Sequence, residues 1–391
     1  MFYAGIDVAK DEHYCVIVNE DKETVCQGFA FPNSTEGFQI LFEKITAIEP
    51  DLTKVKVGLE ATGHYSQNLL GFLLEKSFPT VLLNPLQTKL YRNSLSLRKA
   101  KTDKIDAQVI ACLLKDHKYL KTYSETSYHI TELKSLTRFR FKLVAERGRL
   151  KADVKRFVVI LFPELEKLVS DIHGSAVYVM LKEMPGADRI ARCNLKHLTS
   201  LLNKASRGAI SAERAIAIRE AARTSIGRKS AGISFQLTLV LQQIELYNKQ
   251  IAEVETNIQS YMETVNPPIV SIPGLGFQMA AVLLAEIGDF LRFDSPNRIM
   301  AFAGLCPSTN DSGEVADNHG HMEKRGSCYL RYALLHAARC VSQWDATFKR
   351  YLAKKQAQGK PYYVALVHVA KKLTRVMYAL MKTGKQYIPE A

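Results

Sequence analysis

The chain opens on short apolar runs of strand period. Tyr3 to Val8, Tyr14 to Asn19 and Thr24 to Ala30 are apolar or alternating and are parted by polar turns, which predicts a three-stranded meander. The period then lengthens. An amphipathic helix is expected over Thr35 to Ile48, then a strand from Lys56 to Glu60, a helix from Ser66 to Lys76, a strand from Thr80 to Leu83 and a helix starting at Asp103. Strands interleaved with helices in this way predict a mixed sheet flanked by helices. Beyond it the pattern is helical. Lys134 to Arg156 has helical character, and 160–230 mixes short helical patterns with turns at Pro185-Gly186 and Ser225 to Gly232 that carry no chemistry. Leu237, Ile244, Ile251 and Ile258 then recur every seven residues, with Val240, Tyr247, Val254 and Tyr261 interleaved. That spacing is a coiled-coil seam, satisfied between two copies or by a helical hairpin within one. Asn266-Pro-Pro268 ends the helix. The last third enters an apolar helix through Ile272-Pro-Gly274-Leu-Gly276, a turn similar to a helix-hairpin-helix element, whose helix-start amides could hold a phosphate. A polar loop and a helix from Tyr329 through Arg339 follow.

The expected fold is therefore α/β plus α. Residues 1–125 are expected to form a ribonuclease H-like domain, 126–265 a helical linker and coiled coil, and 266–391 a mostly helical domain; that the first is of the RuvC resolvase type is implied only by the family resemblance drawn below from the motifs. The composition adds a partner. Over 391 residues, 53 Lys and Arg stand against 39 acids, a net charge of +14, which points to nucleic acid. No apolar stretch has the length of a membrane span and the chain begins directly on a strand-like run, so the cytoplasm is expected. Seven cysteines without any Cys-x-x-Cys argue against a zinc site or a disulfide framework.

Four carboxylates are the candidate chemistry. Asp7 lies in the first apolar run, Glu60 ends the fourth strand, and Asp103 and Asp106 stand i,i+3 on a helix and share a face. Acids in β-branched, apolar runs cost stability unless something compensates, and a divalent cation does. In a ribonuclease H-like fold strand one, the end of strand four and a late helix converge, bringing the four together. Basic residues surround this part of the sequence. Lys89, Arg92, Arg98, Lys99 and Lys101 precede the third acid and are expected at the rim of the site. From Lys134 to Arg156 there are nine basic residues and two acids, with Phe139 and Phe141 among them, so Arg138 and Arg140 are candidates for a surface that tracks a nucleic-acid backbone.

The motifs Gly5-Ile-Asp7-Val-Ala-Lys10, Glu60-Ala-Thr-Gly63, Lys101-Thr-Asp103-Lys-Ile-Asp106-Ala107, Ile272-Pro-Gly274-Leu-Gly276, Gly304-Leu-Cys-Pro307, Ser312-Gly313 and Lys324-Arg-Gly326-Ser-Cys-Tyr329-Leu-Arg331 occur in this order. With them the chain resembles the DEDD transposases of the insertion-sequence class that includes pilin-gene inverting recombinases and RNA-guided bridge recombinases. The resemblance implies a resolvase-like N-terminal domain that supplies the acidic tetrad. It also implies a C-terminal serine nucleophile, Ser312, with Ser308 as the rival within the loop. Further implied are Mg2+, two ions per site, held by Asp7, Glu60, Asp103 and Asp106, and phosphate contacts from Lys324, Arg325 and Arg331. The partners would be double-stranded donor and target DNA, a structured noncoding guide RNA and other copies of the chain, as a dimer assembling to a tetramer. With serine and acids some 200 residues apart, the working site would be composite, within or between subunits.

Two other enzyme classes compete. A resolvase-like nuclease would use the tetrad with water as nucleophile and would survive loss of Ser312. A sugar kinase of the actin-like fold shares the Gly5-Ile-Asp7 strand, but no later Asp-x-Gly-Gly-Thr-like phosphate motif occurs. A protein that only binds has no use for an intact set of catalytic residues.

Overall fold

The computed structural model describes residues 1–60, 64–83, 85–95, 102–117, 120, 122–123, 125–307, 311–312, 315–316, 322 and 324–389, with the backbone alone at 86, 125–129, 311–312 and 315–316. It divides into two units, Met1–Ile130 and Thr131–Ala391.

The first unit contains β1 (Phe2–Asp7), β2 (Glu12–Val18), β3 (Thr24–Pro32), α1 (Thr35–Ile48), β4 (Val55–Glu60), α2 (Ser66–Glu75), β5 (Thr80–Leu83), α3 (Pro85–Leu95) and α4 (Asp103–Asp116). The strands order as β3-β2-β1-β4-β5. β1, β2 and β3 pair antiparallel, whereas β4 pairs parallel to β1 and β5 parallel to β4. This mixed α/β sheet has the order and pairing senses expected of the ribonuclease H-like architecture.

Period two sorts the side chains of each strand onto two faces. Ala4 and Ile6 of β1 and Val55, Val57 and Leu59 of β4 join the core with Phe38, Leu41 and Ile45 of α1 and Leu69 and Leu73 of α2. Tyr3 lies on the other face, in the core made with Ala107, Ile110, Ala111 and Leu114 of α4. By the same parity Gly5 and Asp7 of β1, and Gly58 and Glu60 of β4, belong to the face that α4 covers.

α3 occupies part of the basic stretch expected at the rim of the site, where the sequence pattern predicts no helix. Its sequence is rich in polar residues and opens on Pro85, a residue favoured at a helix start.

The second unit is helical. α5 (Glu125–Leu161) belongs to it from Thr131 onward, followed by α6 (Leu165–Leu168), α7 (Ser175–Glu183), α8 (Ala187–Arg192), α9 (Leu195–Ser206), α10 (Ala212–Arg223) and α11 (Ala231–Val265). Arg140 bonds Glu255, and Arg147 bonds Asn248, so α5 and α11 lie side by side and antiparallel. The heptad residues are buried within this chain: Leu237 and Ile244 in one core with Val154, Phe157 and the short helices, Ile251 and Ile258 in a second core with Leu133 and Leu143. The seam is thus covered as a hairpin inside one copy, the alternative that a heptad repeat leaves open.

Segment 162–227 is folded on the tip of that hairpin. Arg228 N–H donates to the Ile160 carbonyl at 2.8 Å, so the chain leaves and returns at one point. The remainder is α12 (Phe277–Ile287), α13 (Pro296–Phe302), the two-residue strands β6 (Asp311–Ser312) and β7 (Val315–Ala316), α14 (Cys328–Trp344), α15 (Ala346–Ala357) and α16 (Tyr362–Thr383). The expected central and C-terminal domains therefore share one unit, because α5 and α11 each run through both helical cores. Gly274 turns with φ +82° where a Cβ would come within 2.8 Å of the Cys340 carbonyl, so close packing on α14 accounts for this glycine of the hairpin-like turn.

Candidate active site

The direction of α4 decides which acids can meet. At its C-terminal end Asp116 pairs with Lys22 at 2.8 Å, and Lys22 lies in the turn after β2, beyond the pair Tyr3–Val18 at the start of β1. α4 therefore runs opposite to β1, and its first turn, with Asp103 and Asp106, lies toward the carboxyl ends of β1 and β4. Asp7 and Glu60 are those ends, on adjacent strands in register and on the face that α4 covers. Thr102 caps the helix by accepting from the Ile105 N–H, and two aspartates in a first turn are favoured by the helix dipole.

Gly5 makes the docking possible. A Cβ there would sit 2.1 Å from the Ala107 carbonyl oxygen and 2.4 Å from the Ala111 nitrogen. The helix backbone rests directly on the strand, and small residues at i and i+4 of α4 complete the fit.

α3 supplies two groups that the sequence reading did not anticipate in these roles. Thr88 Oγ1 donates to Glu60 at 3.0 Å, and the Arg92 guanidinium forms an ion pair with Asp106. Thr88 and Arg92 are i,i+4 on one face of α3, and that spacing was the available signal. Arg92 was expected only at the rim.

The convergence is partial. Among the described residues no three His, Cys, Asp or Glu side chains are gathered closely enough to hold a metal ion. The elements bring the four acids to one edge of the sheet, yet the side chains do not close into a ligand shell. Arg92 and Thr88 engage two of them, Asp106 and Glu60. The all-oxygen donor set still fits a hard divalent cation such as Mg2+.

In the second unit the Ser312 backbone lies in β6, paired with Val315 of β7; Ser308, Lys99 and Lys101 lie outside the described residues. The ends of the Ser312 loop are locked together. Gly304, φ +67°, lies where a Cβ would meet the Arg325 carbonyl at 2.2 Å; Gly326, φ +109°, lies where one would meet the Phe302 carbonyl at 2.0 Å. Pro307 and Met322 bridge across the same loop.

Three of the expected nucleic-acid contacts have partners within the chain. Arg331 Nη1 donates to the carbonyls of Ala303 and Lys324 at 3.1 and 3.2 Å and so clamps the loop ends. Arg140 is paired with Glu255. Arg138 forms a two-pronged pair with Glu286 of α12, at 2.6 and 3.0 Å. Each found a carbonyl or carboxylate that is distant in sequence. Lys324 and Arg325 are exposed.

Glu286 is 2% exposed. Burial pushes its carboxyl pKa up, but the bonds from Arg138 and from Ser327 Oγ at 2.6 Å, with the charges of Lys134 and Arg138, outweigh burial and hold it below the usual range. Ser327 is also the N-cap of α14. One carboxylate therefore fixes α5 to the helix that begins where the Ser312 loop returns. Glu286→Ala is expected to destabilise the second unit by about 3 kcal/mol, the low end for a broken buried pair because Arg138 keeps two-fifths of its side chain in water. Arg138→Met with Glu286→Leu should recover most of that loss in urea unfolding.

Two family models match this chain, a DEDD transposase model over residues 4–163 and the transposase IS116/IS110/IS902 family over residues 267–353. The chain belongs to the IS110/IS116 transposase family. Its relatives include an uncharacterized protein of insertion element IS116 from Streptomyces clavuligerus, 26% identical across 99% of this chain and 96% of that protein. The pilin gene-inverting protein of Moraxella lacunata is 23% identical across 98% and 97%. Among solved structures, Thermus thermophilus RuvC in complex with a Holliday junction substrate matches over 32% of this chain and 99% of RuvC, with 16% identity and a TM-score of 0.24. The membership covers both the acids and the Ser312 loop.

Proposed function

We propose that this transposase cleaves and rejoins DNA by transferring a strand to Ser312, assisted by divalent cations at Asp7, Glu60, Asp103 and Asp106. The observation that carries the reading is the placement of all four acids at one edge: two strand ends and one helix start on the same face of the sheet. Mg2+ is the cation of choice and two ions the expected number. Bound there, the ions neutralise charge that develops on the phosphate oxygens.

Ser312 Oγ forms a bond to phosphorus as the bond from phosphorus to a deoxyribose oxygen breaks, and the serine's proton passes by way of solvent to the departing oxygen, which leaves as a hydroxyl. The energy of the phosphodiester is conserved in the serine ester, so a new DNA hydroxyl can attack phosphorus and release Ser312 without ATP. The active assembly in this reading is a dimer going on to a tetramer. A structured noncoding RNA selects donor and target, and a protein of net charge +14 is suited to hold it.

The test is to express the gene with its native flanks, trap covalent protein–DNA adduct under denaturing conditions and map the linked residue by mass spectrometry. Linkage at Ser312 is expected. Linkage at Ser308 or elsewhere overturns the assignment, and cleavage without adduct means hydrolysis by water.

A further inference from the structure

α14 carries an exposed aromatic row that neither the acids nor the Ser312 loop uses. Tyr329, Tyr332 and His336 follow i,i+3,i+7 on one face, while Leu330, Ala333, Leu334, Ala337 and Val341 fill the core on the other. Phe141 of α5 meets this row edge-on, 5.1 Å from Tyr329 and 5.3 Å from Tyr332 between ring centroids, and His336 continues it 5.7 Å from Tyr332. Arg138 lies over the Tyr329 ring at 4.7 Å. Tyr332 is 48% exposed and Phe141 40%. Rings left partly in water side by side forgo burial, so a cluster of them marks a surface that binds something.

The charge around the rings narrows the partner. From Lys324 to Trp344 there is no acidic residue, while Lys324, Arg325, Arg331 and Arg339 all carry positive charge. On α5 the run Arg138 to Ala145 is likewise free of acids. Flat apolar faces within a positive field fit a polyanion that offers π faces of its own. Duplex DNA keeps those faces inside its stack, whereas an unpaired strand exposes them.

We propose that the Phe141–Tyr332–His336 face holds unpaired DNA bases that flank the phosphodiester under attack, stacking them on its rings. DNA is the committed occupant because α14 starts directly after Lys324–Ser327, where the Ser312 loop returns. The choice of strand rests on the Ser312 reading, but the surface itself is tested by binding alone, so either idea can fail without the other.

The experiment measures anisotropy of labelled oligo-dT, an equal-length duplex and oligo-U with the full chain, comparing wild type with Tyr332→Ala, Tyr332→Trp and Phe141→Ala. Thermal melting and light scattering accompany each variant. The expected result is a loss of roughly five- to a hundredfold in oligo-dT affinity for Tyr332→Ala, with duplex affinity and melting unchanged. Tyr332→Trp, which keeps a ring, should bind as wild type. Since Tyr332 is exposed, it carries the test even where Phe141→Ala lowers stability. Equal losses on single strand and duplex would reduce the face to charge alone. A loss on oligo-U only would reassign it to RNA. Unchanged binding with a changed oligomeric mass would make it a contact between copies; each of these three outcomes overturns the proposal.

Discussion

Asp7→Ala and Ser312→Ala are each expected to abolish strand exchange, at different points. Without Asp7 the strand end has lost its acid, and a cation shared with Glu60 would lose a ligand from the first strand. Cation stabilisation of a phosphoryl transition state is worth several kcal/mol, and each 1.36 kcal/mol is tenfold, so the loss is on the order of a thousandfold or more. Ser312→Ala removes the atom that the proposed mechanism esterifies, so no adduct is expected at any metal concentration. Affinity for DNA is expected to change little in both variants and to keep a steep dependence on salt, which the basic side chains set. Recombination assays in cells, with affinity measured at several salt concentrations, check both halves. Wild-type exchange by either variant removes that residue from the mechanism.

Gly5→Ala unfolds the first unit more readily than its size suggests. The added methyl collides with the Ala107 carbonyl and the Ala111 nitrogen, both backbone atoms of α4 that no rotamer change can move. The helix must lift, exposing the core around Ile110 and Leu114 and carrying Asp103 and Asp106 away from Asp7 and Glu60. A cost of about 3 kcal/mol or more is expected. Gly71→Ala is the control: that glycine is within α2, nothing lies within 4 Å of the added Cβ, and a gain of about 0.5–1 kcal/mol follows from helix propensity. Urea unfolding of both variants separates contact from propensity.

Much of this arrangement could be read from residue order. Period two marked β1 to β5, and the parity of Gly5, Asp7, Gly58 and Glu60 along two strands was enough to put the acids on one face. α3 was not legible, since a polar, basic stretch that opens on proline looks like a turn until Thr88 and Arg92 meet Glu60 and Asp106. The partners of Arg138 and Arg140 were hidden for another reason. A basic run reveals its charge but not its partners, and Glu286 and Glu255 lie more than a hundred residues away in the chain. The heptad of α11 gave the right helix while leaving open which surface covers it, because spacing is the same for a partner in the same chain or in another.

The hairpin of α5 and α11 has a consequence for how such chains diversify. Where segment 162–227 departs and rejoins, Arg228 touches Ile160 and a Cβ on Gly227 would fall 2.2 Å from the Leu161 carbonyl. The two stems meet as the jaws of a socket would, so the path of the hairpin is independent of how much polypeptide is plugged in beyond them. A lineage can lengthen, trim or exchange that cassette while the acids and the serine loop keep their addresses, provided the replacement covers Val154, Phe157, Leu237 and Leu241.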